Sequence, residues 1–394
     1  MIASLPPAAW RDAPGLRAVS AALVADGGAV RIVGGAVRDA LLGLAVNDVD
    51  LATPLRPETV IARLEAAGIK AVPTGIAHGT VTAVAHGQPY EVTTLRRDVA
   101  TDGRRATVAF ADDWAEDAAR RDFTVNALYA DPVSGEISDY HDGLADLAAR
   151  RVRFIGDAGQ RIDEDHLRIL RYFRFAARFA DQFDRATLAV IRGRAESLKS
   201  LSRERIADEL LRLLGLADPV AAVAVMEAQG VLAPILPELG EDAVARLTTL
   251  VAAEQAAGLA PDAVRRLIAL LPPAPADADG IAARLKLSNR IRKRIAAARG
   301  PAPDEPAPRQ IAYRLGSEAA VDRALLAGDG AATVAALDGW VPPRLPVGGG
   351  ALVARGISAG PEVARRLRAL EDRWVAEGFP EGERFAALLA EATR

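Results

Sequence analysis

Apolar and polar positions follow two different periods along the first part of the chain, which predicts a domain of mixed helices and strands. The spacing of Leu16, Val19 and Leu23 is that of an amphipathic helix. Apolar and polar residues alternate at 80–85 and 90–95, on either side of a short turn sequence that contains glycine and proline. Alternation on both sides of a turn predicts an antiparallel hairpin.

From Asp157 onward the two-residue period disappears, and apolar residues recur at every third or fourth position. This period predicts helices through the rest of the chain, with exposed linkers in the proline- and alanine-rich stretches 271–279 and 300–308. The predicted fold class is therefore an α/β head with a small mixed sheet, followed by an all-helical neck, body and tail. The predicted parts are a head over 1–145, a neck over 146–215, a body over 216–300 and a tail over 301–394.

Composition narrows the class of protein without indicating a function. The 394 residues are 50% hydrophobic, which is ample for packed cores, and carry a formal net charge of −3. The chain has no cysteine, which excludes disulfides and thiolate metal sites and favours a reducing compartment. The amino terminus lacks the pattern of a secretory signal, and no uncharged run approaches the ~20 residues of a membrane helix. We therefore expect a cytoplasmic protein that is not associated with a membrane.

Two acidic residues near position 50 are the first candidates for chemistry. Asp48 and Asp50 lie in a segment predicted to be a strand, where residues two apart point to the same face. Two such carboxylates repel each other unless a cation joins them. Their hard oxygen atoms, in a chain without cysteine or clustered histidines, favour Mg²⁺ over zinc. Solvated acids at a sheet edge are the alternative, and the acidic pair alone does not exclude it.

A glycine pair precedes this acidic segment. Gly34 and Gly35 allow a ligand to approach the backbone closely, and a helix predicted over 36–42 begins directly after them. The unpaired N–H groups at a helix N-terminus attract phosphate, and Arg38, one turn into the helix, can add charge-assisted hydrogen bonds. The sequence thus predicts a phosphate pocket beside the metal site.

The run GGAVRDALLG followed by NDVDLAT resembles the signature of class II tRNA nucleotidyltransferases and bacterial poly(A) polymerases. By this resemblance the head is a nucleotidyltransferase domain in which Asp48 and Asp50 hold Mg²⁺. A third carboxylate often completes such a site in this superfamily. Glu91 on the second hairpin strand is the candidate, and a structural or solvent-facing role for it is equally open. The charged stretch 96–111, with DGRR at 102–105, resembles the family's mobile loop beside the active site.

Two later motifs extend the resemblance. In ARRDFTVNALYAD, residues 119–131, the match assigns Arg121 to the triphosphate and leaves Arg120 as the weaker candidate. The run IDEDHLRILRYFRFAARF, residues 162–179, has the apolar spacing of one amphipathic helix. Its predicted polar ridge contains Asp165, Arg168, Arg171 and Arg174.

This ridge has the chemistry needed to read a base. Cytosine and adenine both present an amine donor next to a ring acceptor, so Asp165 can accept from the amine while Arg168 donates to the ring nitrogen. Uracil and guanine would leave buried groups unpaired, at a cost of about 1–3 kcal/mol each. The resemblance implies the same base-reading role, with Arg171 and Arg174 extending toward the sugar or phosphates. A solvent face of salt bridges is the alternative.

The resemblance implies template-independent addition of C, C and A to tRNA 3′ ends, using CTP and ATP and releasing pyrophosphate. The alternatives are a poly(A) polymerase, a partial enzyme that adds only CC or only A, and a non-catalytic RNA-binding module. The tail resembles the part of the family that holds tRNA. The basic stretch 285–300 is suited to an RNA backbone, although a solvated basic helix fits it equally well.

Overall fold

The structure is a computed structural model that describes residues 3–101, 106–304 and 307–394. The predicted loop tip at 102–105 lies outside the described residues. The chain forms two compact units, one of Met1–Leu201 with Val225–Pro234 and one of Ser202–Ala224 with Ile235–Arg394. No helix within the described ranges is both long and apolar enough to cross a membrane. The division into head, neck, body and tail stays a prediction.

The first unit contains a seven-stranded sheet and a separate two-stranded ladder. The strands are β1 (Arg31–Val33), β2 (Asp50–Thr53), β3 (Lys70–Gly75), β4 (Thr80–Ala85), β5 (Gln88–Thr94), β6 (Arg96–Thr101), β7 (Ala106–Phe110), β8 (Leu128–Ala130) and β9 (Ile137–Asp139). The sheet order is β3-β4-β5-β2-β1-β8-β9, and β6 pairs with β7. β2 runs parallel to β5, whereas the other ladders are antiparallel.

The helices begin and end as follows. They are α1 (Pro14–Val24), α2 (Gly35–Leu41), α3 (Pro57–Ala66), α4 (Trp114–Ala119), α5 (Gly143–Ala148), α6 (Ala158–Glu164), α7 (Leu167–Phe179), α8 (Arg185–Arg194), α9 (Arg203–Leu214), α10 (Val220–Ala228), α11 (Ala243–Ala256), α12 (Ala263–Leu270), α13 (Pro275–Arg284), α14 (Asn289–Arg299), α15 (Pro308–Leu315), α16 (Ser317–Ala327), α17 (Gly330–Leu337), α18 (Gly349–Val353), α19 (Pro361–Ala376) and α20 (Gly382–Ala392). The predicted fold class, a mixed α/β head followed by helices, is confirmed.

The predicted hairpin at 80–95 is present as β4 and β5. Its alternating apolar residues are buried, among them Val81 and Val92, which lie directly opposite each other. The turn is tighter than the sequence indicated, because His86 and Gly87 have φ angles of 50° and 77° and β5 already begins at Gln88. Positive φ at both central residues is the geometry that matches the twist of a two-residue hairpin.

Three predicted elements differ from the structure. Asp48 lies in the segment before β2, so the prediction that it shares a strand with Asp50 was wrong. The ends of the predicted loop at 96–111 pair as strands β6 and β7. The predicted helix over 162–179 is broken between α6 and α7, where Asp165 has an extended backbone and its carboxylate accepts the N–H of Leu167 at 3.1 Å. A carboxylate that satisfies a free N–H at a helix start favours such a break.

Helices of the second unit are joined by a buried ion cluster. Asp322 of α16 is fully buried and accepts from Arg265 of α12 at 2.8 Å and from Arg294 of α14 at 2.7 Å. Glu254 of α11 binds the same Arg265 at 2.9 Å. The predicted linker at 271–279 was wrong in its second half, where α13 begins at Pro275.

Arginines of the basic stretch 285–300 form ion pairs with acids of neighbouring helices. Its helix α14 places Arg292 beside Asp279 and Arg290 beside Glu318. Because these acids neutralise the arginines, this pairing favours the solvated-helix alternative over a dedicated phosphate-binding face.

Candidate active site

The candidate carboxylates meet where β2 and β5 run side by side. Asp50, the first residue of β2, lies directly opposite Glu91 of β5 and opposite Val33 of β1. Residues opposite each other in a sheet project from the same face, so the Asp50 and Glu91 carboxylates share one face. Asp48 lies two residues before Asp50 in the preceding segment.

The charges around Asp50 are electrostatically coupled. Loss of hydration raises the pKa of Asp50, and the negative charges of Glu91 and Asp48 raise it further. The positive charge of the Arg121 guanidinium lowers it. Asp48, Glu91 and Arg121 are therefore all near enough to Asp50 to affect its ionisation.

This donor set fits a divalent cation that is shared with a substrate. In the described part of the chain, no group of three or more His, Cys, Asp or Glu side chains is arranged to hold a metal ion by itself. Mg²⁺ is commonly held by one or two carboxylates together with substrate phosphates and water, rather than by a cage of protein ligands. Asp48 and Asp50 supply the hard oxygen atoms that such a site needs.

The glycine turn lies next to this cluster. Gly34 has φ 70° and ψ −118°, a conformation that a residue with a side chain rarely adopts. A β-carbon at Gly34 would lie 3.4 Å from Nη1 of Arg121, and one at Gly35 would lie 3.8 Å from Nη2 of Arg38. Glycine is therefore required at Gly34 by the backbone angle and favoured by the close approach of an arginine.

One edge of the Arg121 guanidinium is bound by protein side chains, and the other edge faces the glycine turn. Its Nε and Nη2 donate to Oδ2 of Asp117 at 3.3 and 3.1 Å, and Nε also donates to the Tyr129 hydroxyl at 3.1 Å. Burial alone would lower the pKa of Arg121, but Tyr129 and Asp117 raise it. Arg121 therefore stays charged, with Nη1 on the side of Gly34.

Arg38, which the sequence predicts to bind phosphate, is buried in the structure. The residue is 4% exposed; its Nε donates to Asp39 at 2.8 Å, and its Nη1 donates to the Asn126 side-chain oxygen. Burial lowers the pKa of Arg38, and Asp39 opposes this effect. The amide of Asn126 in turn donates to Asp122 at 3.0 Å. Arg38 thus joins α2 to the segment that carries Arg121.

The residues predicted to read the base lie at the start of α7 and along it. The Nη1 atom of Arg168 donates to Glu164 at 2.8 Å, so Glu164 is the carboxylate paired with this arginine. Arg171 donates to Asp122 at 2.7 Å, which connects α7 to the Asn126 network. Arg174 lies over the ring of Phe175, at 4.3 Å from its centroid.

Sequence reasoning missed Asp117 and Tyr129. Asp117 precedes Arg121 by four residues, the spacing at which opposite charges meet on a helix, so this pair could have been found. Tyr129 gave no such signal, because its contact with Arg121 depends on the pairing of β8 with β1. The same pairing places Tyr129 opposite Val33, so that β1 lies between Tyr129 on β8 and Asp50 on β2.

Two parts of the chain match known protein families. Residues 30–153 match the family described as the poly A polymerase head domain. Residues 182–242 match the family described as the probable RNA and SrmB- binding site of polymerase A.

Named relatives resemble about half of the chain. Over 204 residues it is 46% identical to CCA tRNA nucleotidyltransferase 1, mitochondrial, of Mus musculus, a match that covers 51% of this chain and 47% of the relative. Over 184 residues it is 45% identical to the CCA-adding enzyme of Leuconostoc citreum strain KM20, covering 46% of this chain and 44% of the relative. These alignments span about half the length of the curated relatives.

Similarity of fold extends over nearly the whole chain. The crystal structure of Bacillus stearothermophilus CCA-adding enzyme in complex with CTP matches with a TM-score of 0.69 and 27% identity, over 95% of each chain. The resemblance stated from the sequence motifs is therefore confirmed.

Proposed function

We propose that this chain, whose residues 30–153 belong to the poly A polymerase head-domain family, adds C, C and A to the 3′ ends of tRNA. The nucleotides come from CTP and ATP, no template is used, and pyrophosphate is released. The observation that carries the proposal is that Asp50 lies directly opposite Glu91 on the neighbouring strand, while Arg121 lies beside the glycine turn. A binding module without catalysis would not need coupled carboxylates at this position.

The reaction joins the primer 3′ oxygen to the α-phosphorus and breaks the bond between the α-phosphorus and the oxygen that bridges to the β-phosphate. Nucleotidyltransferases of this family generally use a divalent metal. We propose Mg²⁺, held by Asp48 and Asp50, which when bound lowers the pKa of the 3′ hydroxyl and neutralises triphosphate charge. Gly34 and Gly35 let the phosphates approach the backbone, and Arg121 binds them as a fixed positive charge. A direct contact of Arg38 with phosphate stays a prediction. The hydrogen bonds of Arg38 to Asp39 and Asn126 support a role in holding the segment that carries Arg121.

Selection of C and A is proposed for the start of α7. A carboxylate beside Arg168 presents an acceptor next to a donor, which matches cytosine and adenine and mismatches uracil and guanine. Asp165 is the carboxylate predicted from the sequence, and Glu164 supports Arg168 through an ion pair at 2.8 Å. Arg171 and Arg174 extend the same face along α7 toward the sugar or phosphates.

Recognition of tRNA is proposed for the helical parts over 216–300 and 301–394. Since the arginines of α14 are largely neutralised by acids, we expect recognition by shape and backbone contacts rather than by a basic patch. The cytoplasm is the proposed compartment, because a chain without cysteine has no disulfide that would require an oxidising compartment.

Extension of three tRNA substrates tests the proposal against its alternatives. The substrates end before CCA, after C and after CC, and each is incubated with Mg²⁺ and with CTP, ATP or both. The proposal predicts that every substrate is completed to CCA and then extended no further. A stop after CC, addition of A alone, or a long A tail would identify a partial enzyme or a poly(A) polymerase. Absence of extension with retained tRNA binding would favour the non-catalytic module.

A further inference from the structure

The carboxylate of Asp117 is bound by both Arg120 and Arg121. Asp117 is 1% exposed. Its Oδ1 accepts from Nε and Nη2 of Arg120 at 2.9 and 2.7 Å and from the backbone N–H of Arg96 at 3.2 Å. Its Oδ2 accepts from Arg121 and, at 2.5 Å, from the hydroxyl of Tyr129. One buried carboxylate therefore holds two arginines, one tyrosine and the first residue of β6.

These bonds fix the orientation of Arg121. A guanidinium is planar, and its donors are arranged in a rigid fork, so binding at one edge determines the direction of the other. Asp117 and Tyr129 occupy the Nε and Nη2 edge. The Nη1 atom is left with the carbonyl of Asn126 at 3.5 Å and lies on the side of Gly34. The edge that faces the glycine turn is thus the edge with the weaker protein contact.

We infer that Asp117 is a positioning residue for nucleotide binding. It holds Arg121 so that Nη1 faces the triphosphate at the glycine turn, and it joins this arginine to the base of the β6 and β7 ladder. Asp117 does not touch the substrate itself. The inference rests on the proposed function, since it assumes that a nucleoside triphosphate binds beside Gly34.

Another buried carboxylate of the same unit provides a matched control. Asp146 is fully buried and accepts from Arg151, from Arg153 at 2.9 Å and from the Thr124 hydroxyl at 2.6 Å. It therefore resembles Asp117 in burial and in having two arginine partners. It makes none of these bonds to Arg121 or Tyr129, so its loss should affect stability without affecting nucleotide affinity.

Equilibrium binding of ATP in the presence of Mg²⁺, without tRNA, tests the inference in the full-length protein. Asp117→Asn replaces one acceptor oxygen with an amide NH2 group, which is a donor and faces other donors. The guanidinium of Arg121 is then no longer held in its orientation. Loss of one charge-assisted interaction corresponds to about a tenfold or greater increase in the Kd for ATP. At temperatures below its unfolding transition, the control Asp146→Asn should bind ATP with the wild-type Kd. The tRNA Kd should change in neither variant.

A double-mutant cycle separates positioning from general damage. If Asp117 acts through Arg121, Asp117→Asn should weaken ATP binding little further once Arg121 is replaced by alanine. Independent, multiplicative losses would overturn the inference. If Asp117→Asn fails to fold, Tyr129→Phe removes one hydroxyl from the same group while keeping the ring, and should raise the ATP Kd about threefold.

The positioning role of Asp117 and the proposed function are separated by different outcomes. A wild-type ATP Kd in both Asp117→Asn and Tyr129→Phe would overturn the positioning role, whatever the wild-type protein does to tRNA. A wild-type protein that binds ATP but does not extend tRNA would overturn the proposed function, and the Kd series would still decide the role of Asp117.

Discussion

Asp50 and Glu91 lie directly opposite each other on β2 and β5, the pair of neighbouring strands in the sheet that run parallel. Their carboxylates therefore share a face, and the negative charge of Glu91 raises the pKa of Asp50. Glu91 comes from a strand that follows Asp50 by some forty residues in the sequence. The parallel pairing, rather than proximity in the chain, brings this acid to the site.

Replacing Glu91 tests whether it acts as part of this cluster. Glu91→Gln removes the negative charge that raises the pKa of Asp50. It also removes negative charge that attracts the cation. If the second effect dominates, kcat for nucleotide addition should fall about tenfold or more, with the KM for tRNA unchanged. Glu65→Gln, an exposed acid of α3, is the control and should have wild-type kinetics. Wild-type kcat in Glu91→Gln would instead assign Glu91 a structural or solvent-facing role.

The glycine turn should tolerate no side chain at Gly34. Gly34→Ala forces a β-carbon into a positive-φ conformation and to within 3.4 Å of Arg121, so both stability and nucleotide affinity should decrease. The backbone effect alone is about 1–2 kcal/mol. Gly27→Ala is the matched control, because Gly27 has φ 76° and nothing within 4 Å of an added β-carbon. Urea unfolding should show a loss in both variants, and ATP binding should weaken only in Gly34→Ala.

Arg38 should matter chiefly for the stability of the first unit. Arg38→Lys keeps a charge but cannot bond both Asp39 and Asn126, and breaking a buried pair costs about 3–5 kcal/mol. The free energy of unfolding in urea should fall by this order, while the ATP Kd changes less than in Arg121→Ala. A stable Arg38→Lys protein with strongly weakened ATP binding would support direct phosphate contact, as the sequence analysis expected.

Acid should remove the contribution of Asp117 to stability. Although burial opposes ionisation, Arg121, Arg120 and Tyr129 lower the pKa of Asp117 from 3.8 to about 2. A carboxyl whose pKa is lower in the folded protein stabilises it above the unfolded pKa, and this stabilisation is lost as the pH falls through the folded pKa. The expected contribution is about 2 kcal/mol, lost between about pH 4 and pH 2.

The measurement is the difference in unfolding free energy between wild type and Asp117→Asn, determined at several pH values. Other carboxyl groups titrate in both proteins, so the difference isolates Asp117. It should shrink toward pH 2. A difference that stays constant with pH would show that the ionised carboxylate is not the stabilising species.

Sequence alone predicted the parts of the site that are local in the chain. The glycine turn, the helix after it and the alternating hairpin depend on neighbouring residues, and each is found near its predicted place. The partners of Arg38 could not be foreseen, because Asn126 and Phe175 reach it only through tertiary packing. The continuous 162–179 pattern hid the break at Asp165, since apolar spacing continues across a capped junction between two helices.

Addition of one A to a tRNA that ends in CC, measured with ATP and Mg²⁺ in wild type and in Asp50→Asn, tests whether this protein completes CCA ends through the Asp50 carboxylate. The wild-type protein should add a single A and stop. Asp50→Asn should bind the tRNA with wild-type affinity and add nothing detectable. Addition at the wild-type rate by Asp50→Asn would contradict the assignment of chemistry to this carboxylate. A wild-type protein that adds a long A tail, or none, would contradict the CCA-adding function itself.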